Sequence, residues 1–237
     1  MACMCVASCF LACLAKMSIG KLTPEEGARL LHLWSARLLR SIGARLTTSG
    51  EPPAHGLIVS NHLSYLDIFA FSAVAPCAFV SKDEIRSWPI IGRIASLAGC
   101  VFIDRATRSQ AHLVQPQMKT ALANGSRLIL FPEGTSSDGR SVLPFHSSLL
   151  EPVVAMQVPV AIAHISYSLS DGDPATEACY WGEMKMLPHV IRLLSKKRLE
   201  INLRFANRGQ IFSNRKEAAR ELREQILEMG QASSISL

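Results

Sequence analysis

Short apolar runs that end in polar residues recur along the chain and alternate with stretches of helical periodicity. The runs are Leu57–Val59, Cys77–Val80, Gly99–Ile103, Arg127–Phe131 and Val158–Ala163. Short apolar runs bounded by turn residues are typical of buried strands. Because strands that alternate with helices favour helices packed on a central sheet, the pattern predicts a single α/β domain with a largely parallel or mixed sheet.

Amphipathic spacing predicts a helix before the first strand. It begins with the capping-box residues Thr23 and Glu26, and its apolar positions recur at helical intervals: Leu31, Trp34, Leu38 and Ile42. Its basic complement consists of Arg29, Arg37, Arg40 and Arg45. Such a helix is suited to lying on an anionic membrane surface, or to packing its apolar stripe on the domain, and both alternatives stay open.

The first fifteen residues, Met1–Ala15, contain no charged side chain and are mostly small and apolar. They are short for a membrane span of about 20 residues. A half-inserted anchor, the stub of a longer helix and a buried helix are the alternatives, and we favour a membrane-associated segment. We therefore expect residues 1–50 to serve membrane association and residues 51–237 to form the α/β domain.

Composition narrows the class of partner. Of 237 residues, 49% are hydrophobic and 19% are charged, and the net charge is +6. A basic chain favours acidic partners such as anionic lipid, a phosphorylated substrate or an acidic carrier. Aromatic residues make up only 6% and do not alternate with Lys or Arg, so a nucleic-acid partner is disfavoured. The seven cysteines lack metal-ligand spacing and indicate free thiols in a reducing compartment.

His62 and Asp67 follow the first predicted strand and form a candidate general-base pair. On one continuous helix they would point roughly 140° apart, but a turn between them lets the carboxylate reach the imidazole. Ser64 is the expected N-cap of a helix that begins at Asp67. A carboxylate that orients an imidazole prepares its other nitrogen to accept a proton. The alternative is that Asp67 only caps the helix and His62 is an ordinary polar residue.

Two further polar residues occupy equivalent places after predicted strands. Arg105 follows the third strand and Glu133 follows the fourth, as His62 follows the first. In open α/β sheets the active crevice lies beyond the carboxyl ends of parallel strands. We therefore expect these three residues to share one edge of the sheet.

Four blocks of sequence resemble the lysophosphatidate acyltransferase family of glycerolipid acyltransferases. They are Asn61–Asp67, Val101–Arg105, Phe131–Ser136 and Val158–Val160, within a motif core of residues 56–165. Their order and spacing match the family, which implies that residues 51–237 are an acyltransferase domain. The resemblance implies transfer of a fatty acyl chain from acyl-CoA or acyl carrier protein to the free hydroxyl of a lysophospholipid. The implied reaction converts 1-acylglycerol-3-phosphate to phosphatidate at the cytoplasmic face of the cell membrane.

The resemblance also implies roles for the matching residues. His62 would deprotonate the acceptor hydroxyl, and Asp67 would orient the imidazole. A thiolate leaves readily from a thioester, so neither a metal nor a cofactor beyond the thioester co-substrate is expected.

A second group of residues is implied to bind the substrate. Arg105 would hold the acceptor phosphate, for which a guanidinium is suited, or would form a surface ion pair. Gly134 would permit close backbone approach, Thr135 would donate a hydrogen bond, and Lys82 would add positive charge. Glu133 would hold Arg105 or an acceptor hydroxyl, or would be a turn residue that caps a helix.

Two departures from the family pattern bear on the acceptor. Ser136-Ser137 stands where the family usually has Arg-Ser, and Pro144–Ser148 lacks the usual lysine. Both reduce positive charge, so a lyso-aminolipid such as a lyso-ornithine lipid, or another lysophospholipid, is an alternative acceptor. The rival activities are a thioesterase or phospholipase that uses the same pair on water, and a non-catalytic lipid-binding membrane protein.

Overall fold

The computed structural model describes residues 23–87, 92, 95–96, 99–103 and 111–234. The predictions for Met1–Ala15 and for Arg105 therefore concern residues outside the described ranges. Every helix within these described ranges is too short or too polar to span a bilayer.

Helices and strands alternate along most of the described chain. The helices are α1 (Pro24–Ser41), α2 (Leu66–Val74), α3 (Ala111–Ala123), α4 (Glu151–Ala155), α5 (Pro174–Glu177), α6 (Met186–Leu194) and α7 (Arg215–Ser234). The strands are β1 (Ala44–Ser49), β2 (Gly56–Ser60), β3 (Ala78–Lys82), β4 (Val101–Ile103), β5 (Arg127–Leu130), β6 (Val160–Leu169) and β7 (Leu199–Gln210). Short 3-10 turns cover Asp83–Ser87 and Ser147–Leu150.

The strands form one mixed sheet in the order β1-β7-β6-β2-β5-β3-β4. Neighbours from β6 to β4 are parallel, β7 is antiparallel to β6, and β1 is parallel to β7. The carboxyl ends of β2, β3, β4, β5 and β6 therefore lie at one edge. The predicted α/β class with a mixed sheet is confirmed.

Alternate residues of the central strands point to opposite faces of the sheet, and each face has its own apolar core. Ile58 and Ile129 pack in the cluster that includes residues of α1 and α2. Leu57 and Leu128 pack in the other cluster, with residues of α3, α4 and α7. Because both faces are covered, the central strands read as continuous apolar runs.

The helix predicted from Thr23 is α1, and its capping box is confirmed. The Glu26 N–H donates to Thr23 Oγ1 at 3.3 Å, and the Thr23 N–H donates to Glu26 Oε2 at 2.9 Å. Its buried face includes Leu31 and Leu39. The apolar stripe therefore packs on the domain, which is one of the two alternatives expected for this helix.

Strand β1 was missed by the sequence reasoning. The chain turns at Gly43, whose φ is 75°, and continues as β1 beside β7. Arg45, expected on the basic face of the helix, lies on this strand. Of the residues of β1 only Ala44 is buried. Because a mostly exposed strand needs few apolar residues, the sequence of β1 shows neither an apolar run nor a clear alternation. The sheet thus includes residues on both sides of the expected boundary at residue 50.

Candidate active site

The turn between β2 and α2 brings His62 and Asp67 together. His62 Nδ1 lies 2.7 Å from Asp67 Oδ2. The strand ends at Ser60 and the helix begins at Leu66, so the two side chains are not held on one helix. The sequence prediction that a turn allows this contact is confirmed.

Asp67 is fully buried and accepts hydrogen bonds from four donors. The N–H groups of Leu63 and Ser64 donate to Oδ2 at 2.7 and 3.2 Å, and the Tyr167 hydroxyl donates to Oδ1. The fourth partner is His62. Because an ionised carboxylate only accepts hydrogen bonds, Nδ1 of His62 carries the proton in this pair. The lone pair of the neutral imidazole is therefore on Nε2.

The expected capping role of Ser64 is wrong. Tyr65 is the N-cap residue of α2 and makes no side-chain cap hydrogen bond. The Ser64 hydroxyl is buried without a hydrogen-bond partner among the described residues. Asp67 supplies only the other half of a capping box, by accepting the Ser64 N–H.

The imidazole of His62 has one face against an aromatic cluster. Its ring stacks on Phe131 with centroids 4.3 Å apart and planes 16° apart. Phe131 in turn contacts Phe71 and Phe79. The His62 side chain remains 22% exposed, so a substrate can reach the ring. The face that stacks on Phe131 is shielded from water.

Glu133 supports the backbone of His62 from the turn that follows β5, the strand beside β2. Its Oε1 accepts the His62 N–H at 2.7 Å, and its Oε2 accepts the Leu143 N–H at 2.8 Å. Burial raises the pKa of this carboxyl to about 7, and the two N–H groups and His62 oppose that shift. Both oxygens are directed at main-chain donors, so Glu133 fixes the position of the His62 backbone.

Other contacts hold the same turn in place. The buried Asn61 side chain donates to the Ile165 carbonyl at 2.9 Å and accepts the Ile165 N–H at 2.8 Å. The Ser137 N–H donates to the His62 carbonyl at 2.9 Å. The Asn61 side chain thereby fixes the turn to β6, and the His62 carbonyl fixes it to the loop after β5.

Of the remaining predicted site residues, the structure describes three and leaves one outside its described ranges. Gly134 turns the chain with φ 73° directly after Glu133, and the neighbouring Thr135 is exposed. Lys82 ends β3 beside Ile103, the last residue of β4, and so shares the sheet edge of the site. Arg105 is outside the described residues. The structure thus joins His62 and Glu133 at one edge, as predicted.

A group of residues beyond Asp67 escaped the sequence reasoning. His189 Nε2 lies 3.0 Å from the Cys179 carbonyl, so Nε2 donates and Nδ1 accepts from the Tyr65 hydroxyl at 3.1 Å. Burial lowers the pKa of His189, which favours the neutral imidazole that this arrangement requires. Tyr167 likewise reaches Asp67 from β6, a hundred residues away. No local pattern marks these residues, because their partners depend on the order of the strands for Tyr167 and on the packing of α6 for His189.

Two cavities lie away from His62. Their volumes are about 650 and 370 Å³, and both are lined by residues at the amino ends of strands, such as Ala78 and Gly56. Among the described residues there is no group of His, Cys, Asp or Glu that could hold a metal ion. The described cysteines Cys77, Cys100 and Cys179 are free thiols.

Comparison with known proteins points to one family. The sequence profile described as Acyltransferase matches residues 46–168. The chain is 36% identical over 176 residues to the lyso-ornithine lipid O-acyltransferase of Pseudomonas aeruginosa, covering 74% of this chain and 67% of that protein. It is 33% identical over 185 residues to the 1-acyl-sn-glycerol-3-phosphate acyltransferase of Neisseria meningitidis, covering 77% of this chain and 72% of that protein.

The fold is shared with a solved acyltransferase structure. The 1-acyl-sn-glycerophosphate acyltransferase of Thermotoga maritima superposes with a TM-score of 0.63 and covers 89% of this chain and 80% of its own. The sequence identity is 20%, so this likeness concerns the fold alone.

Proposed function

The chain belongs to the acyltransferase family of lysophosphatidate and other lysolipid O-acyltransferases, and we propose that its reaction uses His62 as general base. The acyl donor is a thioester on coenzyme A or acyl carrier protein, and the acceptor is the free hydroxyl of a lysolipid. The supporting observation is the 2.7 Å contact between His62 Nδ1 and the buried Asp67, which leaves Nε2 of a reachable ring as the proton acceptor.

The proposed reaction needs one proton acceptor and one leaving thiolate. Nε2 of His62 takes the proton of the acceptor hydroxyl while the hydroxyl oxygen attacks the thioester carbonyl carbon. The carbon–sulfur bond then breaks, and the leaving thiolate takes this proton from the imidazolium of His62. Asp67 stabilises the transient positive charge, because its carboxylate stays hydrogen-bonded to Nδ1. The products are a two-chain lipid and a free thiol, with no metal or covalent acyl-enzyme required.

The first candidate acceptor is 1-acylglycerol-3-phosphate, which would be converted to phosphatidate. Arg105 would bind its phosphate, and Lys82 would add charge at the same edge of the sheet. Gly134 and Thr135 would supply close main-chain approach and a hydroxyl donor. These roles are part of the proposal, as are the coenzyme A or acyl carrier protein donor and the absence of a cofactor.

The second candidate acceptor is a lyso-aminolipid such as a lyso-ornithine lipid. The hydroxyl of Ser136, which replaces the usual arginine, donates to the Tyr180 carbonyl. This position therefore supplies no positive charge for a phosphate. Proteins named lyso-ornithine lipid O-acyltransferase from Pseudomonas aeruginosa and Rhodobacter capsulatus are 36% and 37% identical to this chain.

We also propose that the chain works at the cytoplasmic face of a membrane. Its lysolipid acceptor resides in a bilayer, and both thioester donors are cytoplasmic. Residues 1–50 would contribute to membrane association, and residues 51–237 would carry the acyltransferase chemistry.

The test is thiol release from palmitoyl-CoA and from palmitoyl-acyl carrier protein, with and without a panel of lysolipids. The panel contains 1-acylglycerol-3-phosphate, lyso-ornithine lipid and other lysophospholipids. We expect release that requires one acceptor, and a loss of at least about a thousandfold in His62→Ala. His55→Ala is the matched control, because His55 is an exposed histidine before β2 and should leave the rate unchanged.

Each other outcome contradicts a defined part of the proposal. Thiol release without any acceptor would indicate the thioesterase. Full activity in His62→Ala would remove the base assignment. A failure of both donors with every lysolipid, across detergents and acyl lengths, would favour the non-catalytic lipid-binding protein.

A further inference from the structure

Helix α6 carries apolar side chains on two opposite faces. Leu187, Ile191 and Leu194 follow the spacing of one helical face and are 71%, 61% and 44% exposed. His189 and Leu193 lie on the other face and are buried. A helix that is apolar on both sides requires apolar surroundings on both sides. The protein core covers only one of them.

Trp181 extends this apolar surface on the chain just before α6. It is 38% exposed, and its indole N–H donates to the Ala175 carbonyl at 2.8 Å. A tryptophan with a fixed polar end and a partly exposed ring is typical of the boundary between lipid and water. We call Trp181, Leu187, Ile191 and Leu194 the α6 surface.

Basic residues border the α6 surface. Lys185, Arg192 and Lys197 are exposed, and none forms an ion pair with a described residue. The neighbouring Lys196 pairs with Glu177 at 2.5 Å, and Arg198 pairs with Glu200 at 2.8 Å. The carboxylates nearby are Glu183, which is exposed, and Asp171, whose Oδ1 accepts the Lys197 N–H at 3.3 Å, so three unpaired cations stand against two carboxylates. The border therefore has a positive balance, which complements anionic lipid headgroups.

The buried side of α6 is attached to the candidate active site. His189 accepts the Tyr65 hydroxyl, and Tyr65 lies between His62 and Asp67 in the chain. The Tyr180 N–H donates to the Leu63 carbonyl of the same turn at 2.9 Å. Contact through the α6 surface would therefore hold the His62 turn close to whatever the surface binds.

We propose that the α6 surface is a docking surface for an anionic phospholipid bilayer. The apolar side chains enter the outer part of the acyl region, and the basic border meets the headgroups. This inference rests on the proposed function, because the lysolipid acceptor resides in such a bilayer. Docking there places the His62–Asp67 turn at the membrane surface from which the acceptor arrives.

The test measures the depth of Trp181 in vesicles. The full chain with Trp34→Phe and Trp88→Phe retains only this tryptophan, and the vesicles combine phosphatidylglycerol with phosphatidylcholine brominated on its acyl chains. We expect strong quenching of Trp181 fluorescence, and weaker quenching with phosphatidylcholine alone. This readout is local, so an anchor elsewhere in the chain does not produce it.

Matched variants assign the quenching to the α6 surface. Leu187→Gln with Ile191→Gln should reduce quenching and lower vesicle partition about tenfold. Ile211→Gln is the control, since Ile211 is 55% exposed on a different part of the surface. Equal quenching in the double variant and the control would overturn the proposal.

Two further measurements separate the alternatives. Unquenched Trp181 in a protein that acylates lysolipid in detergent micelles would overturn the docking surface and leave the proposed function intact. A dimer that Ile191→Gln dissociates, again without quenching, would show that a second copy covers the surface and would also overturn the proposal. Quenching in a protein inactive on every micellar lysolipid would retain the docking surface and contradict the proposed function.

Discussion

At the scale of single residues, the site depends on carboxylates whose partners differ in kind. Asp67 accepts from the side chains of His62 and Tyr167 as well as from two main-chain N–H groups, whereas Glu133 accepts only main-chain N–H groups among the described residues. Asp67 therefore acts on the ring of His62, and Glu133 acts on its backbone. This difference predicts that a change at Glu133 alters stability as well as activity.

The raised pKa of Glu133 makes stability depend on pH. The pKa is about 7 in the folded protein, against an ordinary value of 4.5. Between these values the folded protein holds a proton that the unfolded chain has released, so the free energy of unfolding falls as pH rises. The contribution is complete below pH 4.5, is lost above about pH 7 and amounts to about 3 kcal/mol at most.

Glu133→Gln removes this titration. We expect the free energy of unfolding of the wild type to fall relative to that of the variant as pH rises through the window. Urea denaturation at a series of pH values, with both proteins in the same detergent, measures the difference. Parallel curves for the two proteins would show that Glu133 does not titrate in this range.

At the scale of elements, the turn after β2 is held by a side chain that imitates strand pairing. Asn61 exchanges two hydrogen bonds with Ile165 of β6, just beyond the last register pair, Ser60 and Ala163. The amide thus continues the β2–β6 ladder past the end of the strand. His62 is the next residue in the chain, so the pairing of Asn61 with β6 constrains the position of the His62 backbone.

Asn61→Ala should destabilise the protein by roughly 3 kcal/mol, because it leaves the buried N–H and C=O of Ile165 without partners. The kcat should fall more than KM rises, since the variant loosens the His62 turn. Denaturation and steady-state kinetics measure the two effects. Asn124→Ala, at the exposed end of α3, is the control and should change neither. A stable Asn61→Ala with normal kcat would contradict this role.

At the scale of the whole molecule, chemistry and membrane contact are joined through one sheet. Strand β1 pairs with β7, and α1 packs on α2 through a hydrogen bond between His32 Nδ1 and the Ser72 carbonyl at 2.7 Å. Residues 24–50 therefore belong to the same packed unit as the site. Membrane binding by α1, by α6 or by the residues before Thr23 would all position that unit.

Deletion of Met1–Gly20 should reduce pelleting with vesicles, because this segment is almost free of charge. The described domain should still unfold in one cooperative transition, since α1 and β1 are retained. Pelleting equal to that of the full chain would show that α1 or the α6 surface suffices for membrane binding.

Local patterns in the sequence determined much of this protein. Apolar runs predicted the central strands, the capping box at Thr23 predicted the start of α1, and the placement of His62 and Glu133 after strands predicted their shared edge. These features follow from burial and backbone chemistry within a few residues of each position. The apolar run that ends in polar residues, followed by the start of a helix, likewise predicted the turn that joins His62 and Asp67.

Only the tertiary structure decided which distant groups complete the site. Tyr167 reaches Asp67, Ile165 pairs with Asn61, and His189 holds Tyr65, all across about a hundred residues or more. The first two contacts depend on β6 lying beside β2, and the third depends on the packing of α6 against the turn. Neither arrangement leaves a periodic trace in the sequence. The mostly polar edge strand β1 escaped detection for a related reason. Its pairing with β7 is made by main-chain hydrogen bonds, which any sequence without proline can supply.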